Sequence, residues 1–158
     1  MAGMGRSGSI STRSAVERAY IETGLPYPEA VKAFEAAVGR CGAPPSATEA
    51  AAPGGLMIFD AFEQGAIEAL AGRPVRCRLY LVGNPGIAAQ IVRVDPRACL
   101  YVPFRVAIHQ AEGRPAAAVS FDRPSSSLAA LGRRELEPLG RLLDHKIATV
   151  VAAVLRGR

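Results

Sequence analysis

Two stretches of the chain alternate apolar and polar side chains, and each predicts a strand with one buried face. Along residues 76–85, Cys77, Leu79 and Leu81 fall on one side, and Arg76, Arg78 and Tyr80 on the other. Along residues 100–109, Leu100, Val102, Phe104, Val106 and Ile108 share a side, opposite Tyr101, Pro103, Arg105 and His109. With both apolar sides turned to one core, the open face of the sheet carries Arg76, Arg78, Arg105, Tyr80, Tyr101 and His109. Pro103 inside the second stretch marks a bulge or an edge, because proline donates nothing to a strand ladder.

The remaining pattern fills in around this pair. Residues 15–22 read as a first strand, closed by a Thr-Gly-Leu-Pro turn. From Pro28, Ala30, Val31, Phe34, Ala37 and Val38 recur at helical spacing until Gly39 and Gly42. An Ala- and Pro-rich loop spans 43–55, followed by a short buried strand, 56–59, that stops at Asp60. Asp60 and Glu63 have capping-box spacing, so a short helix is expected through Phe62, Ala66, Ile67 and Leu70. The sequence Gly83-Asn-Pro-Gly86 turns the first strand of the pair into a helix bearing Ile87 and Ile91. Free amides at that helix start can hold an anion, with Asn84 beside them, although neither a Rossmann nor a Walker glycine pattern is present. Asp95 and Pro96 break the helix. Residues 112–115 form a hairpin turn and 116–121 the last strand; one helical turn is expected at 128–131. After Pro138, Leu139, Leu142, Leu143, Ile147, Val150, Val151, Val154 and Leu155 make an apolar stripe. This helix is expected across the sheet, on Leu79, Leu81, Phe104 and Val106.

Composition narrows the picture without deciding it. A chain of 158 residues is one domain with a core of its own. The expected division is a flexible tail over residues 1–14 and one domain over 15–158. The net charge of +5 comes from arginine, since lysine occurs only at Lys32 and Lys146. Guanidinium favours bidentate contact with carboxylate or phosphate, although a coding bias toward Arg and Ala gives the same balance. Three scattered cysteines, Cys41, Cys77 and Cys99, supply neither a disulfide framework nor a zinc site, and a cytoplasmic location is expected. No apolar leader opens the sequence and no run reaches the length of a membrane span.

The motifs at 78–85 (Arg-Leu-Tyr-Leu-Val-Gly-Asn-Pro) and 98–106 (Ala-Cys-Leu-Tyr-Val-Pro-Phe-Arg-Val) carry a family resemblance. With Phe59-Asp-Ala-Phe62 before them and Asp122-Arg-Pro-Ser-Ser126 after, the chain is similar to the bacterial and archaeal domain-of-unknown-function 302 family, from about Val16 to Leu155. The resemblance implies a TATA-binding-protein-like α+β fold: a single domain whose curved antiparallel sheet carries its helices on one face. It also implies dimers joined through their sheets or edges. It brings no catalytic activity, no cofactor and no metal.

Three functions compete for the open face. A binding module would clamp a small carboxylate or phosphate between Arg76, Arg78 and Arg105, with Tyr80, Tyr101, Asn84 and Asp60 completing the site. An enzyme would use His109 as general acid or base on a carbonyl compound. Nucleic-acid binding is disfavoured, since Tyr80 and Tyr101 are the only stacking platforms and lysine is scarce. Against all three, the same side chains can serve only as a homodimer interface or a solvated surface. The reading adopted is a homodimeric domain that binds a small anionic molecule.

Overall fold

The computed structural model describes residues 11–41, 55–65, 70, 72 and 75–157. Among the described residues, six strands form a single sheet: β1 (Arg18–Glu22), β2 (Gly39–Arg40), β3 (Met57–Glu63), β4 (Arg76–Gly83), β5 (Phe104–Gln110) and β6 (Ala118–Asp122). Their order across the sheet is β1-β6-β5-β4-β3-β2. Every neighbouring pair is antiparallel except β2 with β3. Among the elements lying wholly within the described residues, four helices pack against this sheet: α1 (Tyr27–Ala37), α2 (Pro85–Val94), α3 (Pro124–Ala129) and α4 (Glu137–Arg156). The chain is therefore a single α+β domain with a mostly antiparallel open sheet, as its alternating pattern suggests.

Local chemistry sets the joints. The Asn84 side chain accepts a hydrogen bond from Ile87 N at 3.0 Å, which caps α2, and donates to Gly55 O at 2.6 Å. Asp95 ends α2 and caps the following 3-10 turn (Pro96–Leu100), accepting from Arg97 N at 3.0 Å. The Arg97 hydrogen bonds hold the Asp95 carboxyl down at about 2. Gly113 takes the positive φ of 75° that the β5–β6 hairpin requires.

The core lies between the sheet and the helices. Val106, Ile108 and Val119 of the sheet meet Phe34 of α1 and Ile147, Val150 and Val154 of α4. The apolar stripe of the C-terminal helix therefore has the expected role. Its seat differs, because β4 presents the opposite face from the one its pattern suggested. Tyr80 is 0% exposed and Val82 is equally buried, whereas Leu79 and Leu81 lie on the open side. Residues 79–82 are apolar or amphipathic at every position, so alternation within β4 cannot set its phase. Pairing sets it: Tyr80 lies opposite Val106 and Val82 opposite Phe104, and directly paired residues share a face.

Three further expectations are corrected. Asp60 does not begin a helix. It is an exposed residue of β3 beside a bulge at Ile58/Asp60, and its Oδ1 accepts from Ala61 N at 2.8 Å. Pairing of Phe62 with Leu79 and Glu63 with Arg78 outweighs the capping signal; residues 66–69 of the expected helix lie outside the described ones. The long strand begins at Phe104 rather than Leu100, after a cis Val102–Pro103 peptide, and Pro103 is no bulge within it. Residues 124–129 already form α3, one turn earlier than expected. The 43–55 loop, apart from Gly55, and most of the 1–14 tail lie outside the described residues.

α3 and α4 meet closely at Gly140, where an added Cβ would stand 2.7 Å from Ser125 Cα. Asp144 fixes this contact by accepting from Ser125 N at 3.1 Å. Gly140→Ala should force the two helices apart and cost about 1–3 kcal/mol, the usual penalty of overpacking. Urea melts of the variant and parent measure this, and coincident midpoints would contradict the close approach.

Candidate functional site

The open face of the sheet follows from three registers. Leu81 pairs with Arg105, Leu79 with Ala107 and Cys77 with His109. Ala107 pairs in turn with Ser120, and Ser120 with Tyr20; Asp122 pairs with Arg18. The centre of this face is apolar. Phe62 is 46% exposed there, paired with Leu79.

Two cavities open on this face. The larger, of about 450 Å³, is lined by Leu81, Cys99, Tyr101, Arg105, Asp122 and Ser127, among others. The second, of about 280 Å³, runs over Leu79, Ala107 and Ser120 to Arg18. Both are lined by Arg105 and Asp122, so they join into one groove with an aliphatic floor. Asp122 is engaged elsewhere, accepting from Arg18 Nε at 2.8 Å. Arg105 is exposed and makes no hydrogen bond or ion pair with any described residue. Its guanidinium is an unpaired cation over an apolar groove.

A second cluster lies further along the same face. His109 Nε2 is 2.9 Å from Ser120 Oγ, and the Tyr20 ring stands 5.8 Å from the imidazole. Burial lowers the His109 pKa. Across the ladder, burial raises the Cys77 thiol, with the Glu63 charge adding to it, and Cys77 Sγ is 3.6 Å from Gln64 Oε1. A thiol held protonated is a poor nucleophile. His109 lines neither cavity of the groove.

The remaining expected site residues sit elsewhere. Tyr80 and Arg78 lie on the helix side, so their placement on the open face is corrected. The Tyr80 hydroxyl donates to Glu35 Oε1 at 3.0 Å, and Arg78 Nη1 is 3.4 Å from the same carboxylate. The Tyr27 hydroxyl donates to Glu63 at 3.0 Å. Burial, together with Glu63 for Tyr27 and Glu35 for Tyr80, raises both phenols. Arg78 Nε is buried without a hydrogen bond, its distance to Glu63 being 3.9 Å. Arg76 is an exposed end of β4 paired with Gln110. Asn84 is buried and spent on capping α2. Asp60 pairs with Leu81 and so shares the open face, but it lines neither cavity. Of the expected ligand residues, only Arg105 and Tyr101 come together in the groove, and Tyr101 reaches it from the end of a 3-10 turn rather than a strand.

Several groups of this face escaped the sequence reading. Ser120 and Asp122 alternate with Val119 and Phe121 along β6, a signal that would have placed them on the open side. Arg18 and Tyr20 follow from the same alternation in β1. Cys99 and Ser127 reach the groove only through the turn after α2 and through α3, for which no local pattern exists. Among the described residues, no three His, Cys, Asp or Glu side chains converge as a metal site would require, and no helix is long and apolar enough to cross a membrane.

Comparison with known proteins meets this geometry at the level of the family. The family model described as "Domain of unknown function DUF302" matches residues 21–154. The chain belongs to the DUF302 family. A crystal structure of an uncharacterized conserved DUF302 protein from Bacillus stearothermophilus is similar, with a TM-score of 0.67 at 12% sequence identity. The match covers 86% of this chain and 96% of that one, and at such identity it establishes the fold alone. No curated protein matches the sequence.

In this DUF302 chain the imidazole offers a direct check of the open face. His109 should titrate below the ordinary value of about 6.5. Its folded pKa is lowered, so its contribution to stability is complete above about 6.5 and declines as pH falls from there toward the folded pKa. Imidazole NMR resonances followed through pH 4–8 measure this. An upward shift for His109 would contradict its half-buried environment.

Proposed function

We propose that the groove across the open face binds a small molecule carrying one carboxylate or phosphate on an apolar body. The single observation that carries this reading is Arg105, an unpaired guanidinium where the two cavities meet, above Leu79 and Leu81. Guanidinium offers two parallel donors to a carboxylate or phosphate, and an aliphatic floor favours a ligand with surface to bury. Tyr101 and Ser127 supply neutral hydroxyls at the larger end. Asp122, already joined to Arg18, sets a limit on ligand charge, because a second anionic group there would meet a carboxylate.

The reading differs from a clamp made by several arginines. Arg78 belongs to the helix side and Arg76 to the strand end, which leaves one guanidinium for one anionic group. His109 lines neither cavity itself and meets the groove only through Ser120, whose Oγ is 2.9 Å from Nε2. Tyr80, buried beneath the sheet, offers no platform to a nucleobase.

Binding of benzoate, hexanoate and inorganic phosphate, followed by chemical-shift titration, tests the reading. Benzoate or hexanoate should bind saturably and move the resonances of Leu81 and Ala107. Arg105→Gln should weaken that binding by about tenfold or more, the scale of a lost charge-assisted hydrogen bond. Equal binding by the variant, or no saturable binding of any probe, would overturn it.

A further inference from the structure

The register of β6 places Ser120 between a base and a cation. Ser120 pairs with Ala107 of β5, and the residues two positions to either side on that strand are His109 and Arg105. Residues two apart share a face, so all three side chains belong to the open side, with diagonal steps of about 7–8 Å between Cα atoms. The imidazole spans its step, since Nε2 is 2.9 Å from Ser120 Oγ. On the other side Ser120 and Arg105 line the second cavity together, over Leu79 and Ala107.

The pair has the chemistry that a hydroxyl nucleophile needs. Burial lowers the His109 pKa, so the ring is uncharged at neutral pH. With its proton on Nδ1, the imidazole accepts from the Ser120 hydroxyl through Nε2. The Tyr20 ring stands 5.8 Å from it, tilted at 48°, and flanks the imidazole on the β1 side. Among the described residues no carboxylate bonds to the imidazole, so the arrangement is a dyad.

We propose that Ser120, with His109 as its general base, is the nucleophile of an esterase whose substrate carries its anionic group on Arg105. This substrate class rests on the groove reading above: an apolar body with one carboxylate, bearing an ester that lies over Ser120. Ser120 Oγ bonds to the acyl carbon as its proton passes to His109 Nε2. The bond from that carbon to the alcohol oxygen breaks, and the alcohol leaves with the proton from Nε2. Water then adds to the acyl carbon and gives a proton to Nε2. The carbon–Oγ bond breaks, Oγ recovers the proton, and the carboxylic acid leaves. Nothing is oxidised or reduced, and water is the only co-reactant. Arg105 lies across Ser120 from the base, so a carboxylate held there lays the ester over the nucleophile.

Hydrolysis of para-acetoxybenzoate by the full chain tests the proposal, with phenyl acetate as the uncharged comparison and peptide mass spectrometry after an acid quench. The acetyl group should be recovered on the peptide bearing Ser120, and the charged ester should be cleaved faster than the neutral one. Ser120→Ala should lose the acetylated peptide and the cleavage while keeping the circular dichroism of the parent. His109→Gln keeps the hydroxyl and should acetylate about a hundredfold more slowly, the scale of a lost general base. Arg105→Gln should lose the preference for the charged ester. Saturable benzoate binding with no acetyl group on Ser120, or cleavage indifferent to Ser120→Ala, would overturn the dyad and leave the groove reading standing. Acetylation of Ser120 with no charge preference and no competition by benzoate would overturn the substrate class together with the groove reading.

Discussion

The burial of Tyr80 determines which side of the sheet is which. Its ring lies against Phe34 with 4.9 Å between centroids, and the Arg78 guanidinium is 5.6 Å from its centre. Its hydroxyl reaches past this apolar contact to Glu35. Tyrosine suits such a position because one end is apolar while the other needs a partner. Were β4 to slip by one residue against β5, Tyr80 would turn to solvent, and Leu79 and Leu81 would turn toward the helices. The pairing of Tyr80 with Val106 holds the opposite arrangement, and the character of both faces follows from it.

On the helix side, the end of the sheet carries a compact polar rim. Glu35 receives Tyr80 and Arg78, while Glu63 receives Tyr27. The charges of this rim are largely met within the protein, so its tyrosines and arginine tie α1 to β3 and β4. On the open side the balance differs. Asp122 is matched by Arg18, but Arg105 has no partner among the described residues and lies above the aliphatic side chains of Leu79 and Leu81. A guanidinium with no partner among the described residues, set beside apolar surface, is a group that a carboxylate or phosphate can engage. That is the physical reason for placing a ligand there and for treating Arg78 and Tyr80 as scaffold.

The two securest parts of the sequence were those with a long, unambiguous period. The stripe from Leu139 to Leu155 repeats over nearly five turns, and Phe104, Val106 and Ile108 alternate with Arg105, Ala107 and His109. The Gly-Asn-Pro-Gly turn at 83–86 announced α2. Legibility failed where local signals were degenerate or opposed by pairing. Residues 79–82 contain no charged residue to mark a solvent face, and a tyrosine is at home on either side. The Asp60–Glu63 spacing suits a helix cap, yet β4 offers those same residues a ladder. The groove was only partly legible, because Cys99, Tyr101 and Ser127 converge on Arg105 through turns and a short helix whose positions depend on the whole fold.

The face assignment is the claim on which the remainder rests, and solvent paramagnetic relaxation tests it most directly. A soluble gadolinium chelate relaxes methyl groups in proportion to their approach to solvent. With the open face as described, the methyls of Leu79 and Leu81 should relax strongly, while those of Val82 and Val106, both 0% exposed, are spared. Relaxation of Val82 with protection of Leu79 would show that β4 presents the other face. In that case Tyr80 would lie in solvent and the Arg105 groove would lose its floor.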